Sequence, residues 1–216
     1  MLYRTRKEEE LRLLHASFSM IVTAEQHNPS LLNPDFLRIR GIVPDDWTVR
    51  ETLTTPMLSL VRYDNGFAVL VKPERLQFSW RVEHFEEVAK VCSSYIKTLP
   101  HVRYRSVNFE WRFFFLHDEP CKFIVERFMK KGIVGDPNGA GVTLSYKGRR
   151  APMNLRFETA RDNEGREGLG VTVLVTMQVS TYPADKEVAK LATRVSRFYR
   201  DVRERLNRLA QMEVEV

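Results

Sequence analysis

Histidine and cysteine side chains are the usual ligands of zinc, and cysteine pairs form many redox centres, so their spacing is the first chemical signal in this chain. Neither Cys92 nor Cys121 belongs to a Cys-x-x-Cys pair. No two histidines have the short spacing that places two imidazoles on one metal ion; they are His15, His27, His84, His101 and His117. The sequence therefore predicts no metal ion, no redox centre and no cofactor.

The sequence His117-Asp118-Glu119 is a candidate acid–base or ligand cluster at the end of a predicted strand. Asp118 has a simpler explanation as the N-cap of a helix, because Pro120 follows in what would be its first turn. The Gly-x-Ser-x-Gly nucleophile motif does not occur. Catalytic carboxylate pairs are not recognisable in a sequence, since the fold sets their separation. We therefore name no catalytic residue, and an enzyme of unidentified class is the third hypothesis.

The segment from Gly132 to Gly141 is rich in glycine and invites comparison with a phosphate-binding loop. Such a loop leads from a strand into a helix N-terminus, and its nucleotide-binding form ends in Gly-Lys-Ser or Gly-Lys-Thr. Here the segment follows a predicted helix, precedes a predicted strand and lacks that ending. A flexible connector is the better interpretation.

Basic side chains are concentrated in the last predicted helix, over residues 184–211. A basic helical face can follow a phosphate backbone, and two arginines in a predicted hairpin turn could extend it. The candidate nucleic-acid-binding residues are Arg149, Arg150, Lys190, Arg194, Arg197 and Arg208. A solvated face whose cations stabilise the carboxyl end of the helix explains the same pattern. Both interpretations stay open.

The bulk composition is that of a well-packed soluble protein. The chain has 216 residues, of which 43% are hydrophobic, enough for one large domain or two small ones packed together. Its formal charge of +6 would assist association with nucleic acid, an anionic membrane or an acidic protein surface, although 28 acidic residues are interleaved with 34 basic ones. Residues 1–10 are highly charged and lack the apolar core typical of a signal peptide, and no run approaches the roughly 18 apolar residues that cross a membrane. We therefore predict a cytoplasmic protein that does not bind membranes.

Alternation of apolar and polar residues predicts the strands that position these side chains. The predicted strands cover residues 14–24, 57–63, 67–72, 75–80, 102–116, 140–146, 153–157 and 169–179. Helical spacing predicts helices near residues 85–99, 118–132 and 184–211. Asp64-Asn65-Gly66 predicts a tight hairpin turn. The predicted fold class is α+β, with one or two antiparallel sheets covered by helices.

Two repeated sequences indicate an internal duplication. Leu76-Gln77-Phe78-Ser79 followed by Glu87-Val88-Ala89-Lys90 recurs as Met177-Gln178-Val179-Ser180 followed by Glu187-Val188-Ala189-Lys190. Each repeat lies where a predicted strand passes into a predicted helix, and the order of elements agrees on both sides. We therefore predict two related halves, 1–100 and 101–216, in one compact unit that ends in a long C-terminal helix. Chance matching of four-residue strings is the alternative.

Residues 26–56 lose periodicity and carry four prolines, a pattern typical of functional or packed loops. The apolar residues of this loop could seal one end of the sheet or contact a partner, and sealing is the favoured role. These candidate partner-binding residues are Leu31, Leu32, Phe36, Leu37 and Trp47.

The same loop contains Asn28-Pro29-Ser30-Leu31-Leu32-Asn33-Pro34-Asp35-Phe36-Leu37, followed by Gly41-Ile42-Val43-Pro44-Asp45-Asp46-Trp47. With the Asp64-Asn65-Gly66 hairpin, it resembles a group of bacterial proteins of about this length that have no assigned function. The resemblance is best over residues 20–110. It implies a soluble bacterial protein and implies no activity, substrate or cofactor.

These features favour a non-enzymatic binding or assembly protein that acts through protein–protein contacts, as a homo-oligomer or as a subunit of a larger complex. The reasons are the missing catalytic spacing, the apolar proline-rich loop and a last helix whose distal turns could pack against another subunit. A basic nucleic-acid-binding protein is the alternative hypothesis.

Overall fold

The computed structural model describes residues 11–129, 139–147, 151–182 and 184–210. The strands in these ranges are β1 (Arg12–Ala24), β2 (Val49–Thr54), β3 (Ser59–Tyr63), β4 (Ala68–Lys72), β5 (Arg75–Arg81), β6 (Tyr104–Leu116), β7 (Gly141–Lys147), β8 (Pro152–Arg161) and β9 (Glu167–Gln178). The α-helices are α1 (Pro34–Ile39), α2 (Phe85–Lys97), α3 (Pro120–Phe128), α4 (Asp185–Ala192) and α5 (Val195–Ala210).

These strands form one antiparallel sheet in the order β2-β3-β4-β5-β1-β6-β9-β8-β7. The two long strands β1 and β6 are adjacent at its centre, where they pair from Arg12 and Leu116 to Ala24 and Tyr104. The predicted α+β class is confirmed. Strands of residues 1–100 and 101–216 share a single sheet, because the β1–β6 pair joins them.

One face of the sheet is apolar and is covered by helices. Phe18 of β1 lies 6.3 Å from the ring of Phe85 in α2, and Trp111 of β6 lies 6.1 Å from the ring of Tyr199 in α5. Phe18 and Trp111 have no exposed surface. Burial of such large side chains removes a great deal of apolar area from water, so α2 and α5 enclose the core of the fold.

The opposite face of the sheet is polar at its centre. Ser19 and Ser79 hydroxyls lie 2.9 Å apart across β1 and β5, and those of Thr23 and Ser106 lie 2.7 Å apart across β1 and β6. Such alternation is expected of an antiparallel sheet with helices on one face.

The prediction of one long C-terminal helix is wrong in one respect, because this segment forms two helices. α4 ends at Ala192 and α5 begins at Val195. Between them, the Thr193 hydroxyl donates to the carbonyl of Lys190 at 2.8 Å, a bond that competes with the helical backbone pattern. The apolar stripe continues across this break and is buried within the chain, at Val188, Leu191, Ala192, Val195, Phe198, Tyr199, Val202 and Leu206. These residues therefore do not form a free seam for another subunit.

Residues 26–56 are more ordered than their lost periodicity predicts. Asn33 caps α1, since its side-chain oxygen accepts the N–H of Phe36 at 2.8 Å. Asn28 caps a short 3-10 helix in the same way. The segment also contains β2, which pairs with β3 at one edge of the sheet. The sequence does not predict β2, because most of its side chains are exposed and show no apolar alternation.

The helix predicted after His117 is α3, but its N-cap is Glu119 rather than Asp118. The N–H of Glu119 donates to Nδ1 of His117 at 3.0 Å, and Pro120 occupies the first turn as predicted. The predicted end of this helix at Gly132 lies outside the described residues, as does most of the predicted glycine-rich connector. In the described ranges, no helix combines the length and apolarity needed to cross a membrane.

Candidate functional site

A groove of about 710 Å³ lies between α5 and the neighbouring parts of β7, β8 and β9. Its floor consists of Ala151, Met153, Val175 and Phe198, and each of these residues is almost fully buried. Arginines of α5 line the groove at positions 197, 200, 205 and 208. The groove therefore combines an apolar floor with a cationic rim.

These arginines lie on the outer side of α5 because the opposite side of the helix packs into the core. Val202 and Leu206 have no exposed surface, and the amphipathic pattern places the charged residues on the opposite side. Arg194 lies directly before α5, and the helix itself carries arginine at positions 197, 200, 203, 205 and 208. Within the described parts of the chain, none of these six guanidinium groups forms an ion pair. They are available to an anion.

Two contacts hold α5 against its neighbours at the groove. The guanidinium of Arg205 lies over the ring of Tyr146 in β7, 4.6 Å from its centre. Near the end of the helix, Arg127 of α3 donates from Nε to the carbonyl of Leu209 at 2.8 Å. That bond satisfies one of the carbonyls that a helix leaves unpaired in its last turn.

The groove is not uniformly basic. Asp201 and Glu204 also line it, one helical turn or less from the arginines. This arrangement places four cations and two carboxylates around one apolar floor. The excess of cations over carboxylates and the apolar floor together favour a ligand that has both an acidic part and an apolar part.

A second cavity, of about 400 Å³, lies where α4 ends and α5 begins. It is lined by Thr193, Arg194, Ser196, Arg197 and Arg200. Arg197 and Arg200 line both this junction cavity and the groove, so the two cavities adjoin at these side chains.

The structure brings together some of the predicted nucleic-acid-binding residues. Arg197 and Arg208 line the groove, and Arg194 lines the junction cavity. Lys190 is exposed on α4 and lines neither cavity. Arg149 and Arg150 lie outside the described residues.

The loop residues predicted to seal the sheet or contact a partner are mostly in the core. Leu32 and Leu37 have no exposed surface, and the ring of Phe36 packs 5.8 Å from Tyr95. Trp47 packs against an aromatic cluster formed by Tyr63, Phe67 and Trp80. Leu31 is 38% exposed. Leu32 and Leu37 therefore lie where residues that seal the sheet are expected, whereas Leu31 is accessible to a partner.

Titratable groups in the core carry perturbed pKa values, and burial is the main cause. Burial raises the pKa of Tyr63 to about 12, although Arg38 acts in the opposite direction. Burial also raises the pKa of the Cys92 thiol and lowers the pKa of His27. In the described ranges, no three His, Cys, Asp or Glu residues are grouped so that they could hold a metal ion. No disulfide joins Cys92 to Cys121.

The apolar part of the groove leaves no pattern in the sequence. Met153 and Val175 belong to two different strands and Phe198 to α5, so only the sheet order and the helix packing bring them together. The spacing of the arginines in α5 was the available signal, and it located the basic rim.

No protein-family model matches the sequence, and no curated protein is significantly similar to it. The resemblance of residues 20–110 to a bacterial group therefore stays a prediction. Function is inferred from the residues of the groove and of the junction cavity.

Proposed function

We propose that this chain is a non-enzymatic binding protein whose groove beside α5 holds an acidic segment of a protein partner. The observation that carries this proposal is the meeting of four arginines, none in an ion pair within the described residues, with an apolar floor in one groove. Acidic side chains of the partner would bind the guanidinium groups, and its apolar side chains would pack against the small apolar surface that Ala151 and Met153 still expose. The partner is another subunit of a complex or a second copy of this chain.

The size of the groove suits an extended segment. α5 has 16 residues, so at 1.5 Å per residue it is about 24 Å long. A strand-like peptide rises about 3.3 Å per residue, so about seven residues would follow the helix from end to end. Arginine forms paired N–H donors to a carboxylate, which gives such a segment a defined orientation.

Nucleic acid is the second candidate ligand, and it is favoured by the number of arginines on α5. Two features make it the weaker candidate. Asp201 and Glu204 interrupt the basic rim and would repel a continuous phosphate backbone, whereas a peptide can place its acidic side chains beside the arginines alone. The aromatic residues of the groove are also poorly placed for stacking, because Phe198 is almost fully buried and Arg205 covers the ring of Tyr146, whereas single strands usually stack their bases on exposed aromatic rings.

A fluorescence anisotropy titration separates these two candidates. The probes are a short labelled peptide that alternates glutamate with leucine, the same peptide with glutamine for glutamate, and a short oligo-dT strand. We expect the glutamate peptide to bind, the glutamine peptide to bind at least tenfold more weakly, and oligo-dT to bind no better than the glutamine peptide. Tighter binding of oligo-dT than of the glutamate peptide would favour the nucleic-acid alternative.

Two variants assign the binding to the groove. Arg208→Gln removes a guanidinium that lines the groove, so it should weaken the glutamate peptide about five- to tenfold. Arg203→Gln is the matched control, because Arg203 is an exposed arginine of the same helix that lines neither cavity. Equal losses in both variants would mean that net charge, and not the groove, determines binding. Light scattering during size-exclusion chromatography tells whether a second copy is the partner.

Two further proposals concern origin and location. The first is that the halves 1–100 and 101–216 derive from a duplicated unit. Its support is the strand order: the strands next to β1 are β5, β4 and β3 in turn, and those next to β6 are β9, β8 and β7. The protein acts in the cytoplasm of a bacterium, and the support is the resemblance over residues 20–110 together with the buried thiol of Cys92.

A further inference from the structure

The junction cavity has an unusual concentration of guanidinium groups. Three of the five described residues that line it are arginines, Arg194, Arg197 and Arg200, and none of the five is acidic. All three arginines are exposed, and none forms an ion pair within the described residues. Like charges held close together repel, so an anion among them would relieve that repulsion.

The backbone at this cavity is the junction of two helices. Arg194 lies directly before α5, and its carbonyl accepts the N–H groups of Arg197 and Phe198. The negative end of the α4 dipole and the positive end of the α5 dipole therefore meet at the cavity and largely offset each other. The three arginine side chains are the source of its positive charge.

We infer that the junction cavity is a binding site for a tetrahedral oxyanion of the phosphate class. Three guanidinium groups can surround such an ion and donate two N–H groups each, a geometry that matches phosphate oxygens. Free phosphate and a phosphorylated side chain of a partner present the same chemistry. Only a phosphorylated partner rests on the proposed function. In that case one partner would contact Arg197 and Arg200 from both the groove and the cavity.

Two carboxylates oppose this site: Asp201 lines the groove that Arg197 and Arg200 share with the cavity, and Glu86 contacts Ser196. Ser196 donates its hydroxyl proton to Oε1 of Glu86, an α2 residue, across 2.5 Å. The Thr193 hydroxyl is likewise occupied, because it donates to the Lys190 carbonyl. The guanidinium groups therefore carry the binding, and the charge of Glu86 weakens it. Glu86→Gln should raise the affinity for phosphate about threefold or more, which is an effect that a merely structural role of Glu86 would not produce.

Isothermal titration calorimetry with inorganic phosphate, at constant ionic strength set by chloride, tests this inference. Arg194→Gln removes a guanidinium of the cavity that is absent from the groove, and we expect it to weaken phosphate binding about tenfold. Arg203→Gln and Arg208→Gln should each change it less than twofold, because neither residue lines the cavity. Circular dichroism confirms that each variant is folded.

Absence of phosphate binding to the unaltered chain would overturn the inference, and so would an equal loss in Arg194→Gln and Arg203→Gln. Titration with O-phosphoserine then identifies the source. Binding of phosphoserine at least as tight as that of phosphate supports a phosphorylated partner, and weaker binding supports the free ion. Failure of the proposed function is separately visible, because the glutamate peptide would then fail to bind while phosphate binding persists.

Discussion

The guanidinium carbon of Arg205 lies 4.6 Å from the ring centre of Tyr146. Arg205 belongs to α5 and Tyr146 to β7, which is the outermost strand on its side of the sheet. Both side chains are half-buried, so water screens the attraction between cation and ring only in part. This contact ties the helix to the sheet edge and fixes one wall of the groove.

The Arg205–Tyr146 contact should be measurable in a double-mutant cycle. Arg205→Ala and Tyr146→Leu, made singly and together, should show a coupling of about 0.5–1 kcal/mol in the free energy of unfolding from urea denaturation. Arg203→Ala paired with Tyr146→Leu is the control, since Arg203 does not line the groove. Additive effects of Arg205→Ala and Tyr146→Leu would show that the contact does not stabilise the protein.

Two leucines of the proline-rich loop should differ sharply in their contribution to stability. Leu37 has no exposed surface, so Leu37→Ala should lower the free energy of unfolding by about 2–5 kcal/mol through lost burial and a residual cavity. Leu31 is 38% exposed, so Leu31→Ala should change it by less than about 0.5 kcal/mol. Urea denaturation measures both. A similar small effect in both variants would mean that the loop does not seal the core.

Period-two alternation predicted most of the sheet because a strand with one buried face leaves that signature. β1 shows it in its residue types, since every second residue from Leu14 to Ala24 is apolar, although Ser19 and Ile21 of the other face are buried as well. The hairpin between β3 and β4 was equally predictable from Asp64-Asn65-Gly66. Its turn places Gly66 at a φ of 88°, a conformation that glycine tolerates best.

Features set by tertiary contacts were not predictable from the pattern. β2 is an edge strand with exposed side chains, so it has no apolar period. The break between α4 and α5 is invisible in the apolar stripe, because Val195 and Phe198 continue the stripe beyond it. The groove depends on which strands the sheet places beside α5. The sequence located its arginines because they lie on one helix, and missed its floor because that is assembled from separate strands.

Gly168 should tolerate no side chain. A Cβ atom at this position would lie 2.3 Å from the carbonyl oxygen of Phe115 and 2.6 Å from the ring of Phe114, which forces the backbone of β6 or β9 to move. Gly168→Ala should therefore lower the free energy of unfolding by about 1–3 kcal/mol. Gly141→Ala is the control, because its nearest neighbour would be 3.7 Å away, and it should cost less than about 0.5 kcal/mol. Equal melting temperatures for the two variants would contradict the close approach.

His27 should make stability depend on pH. The ring is 3% exposed, and burial lowers its pKa, although a backbone contact with Val22 and the charge of Glu74 act in the opposite direction. The unfolded chain therefore binds a proton at His27 more readily than the folded chain. The corresponding stability is fully present above the ordinary histidine pKa of about 6.5, and it is lost as the pH falls through 6.5 toward the lowered value.

Replacing this ring should reduce the pH dependence. In urea denaturation between about pH 8 and pH 5, His27→Gln should be less stable than the unaltered chain at the upper pH but should lose less stability as the pH falls. The pH slope is the informative quantity, because the substitution also disturbs packing around Tyr104, whose ring lies 6.0 Å from that of His27. His101→Asn, at an exposed position, is the matched control for the loss of an imidazole. A slope for His27→Gln equal to that of His101→Asn would exclude His27 as the titrating group.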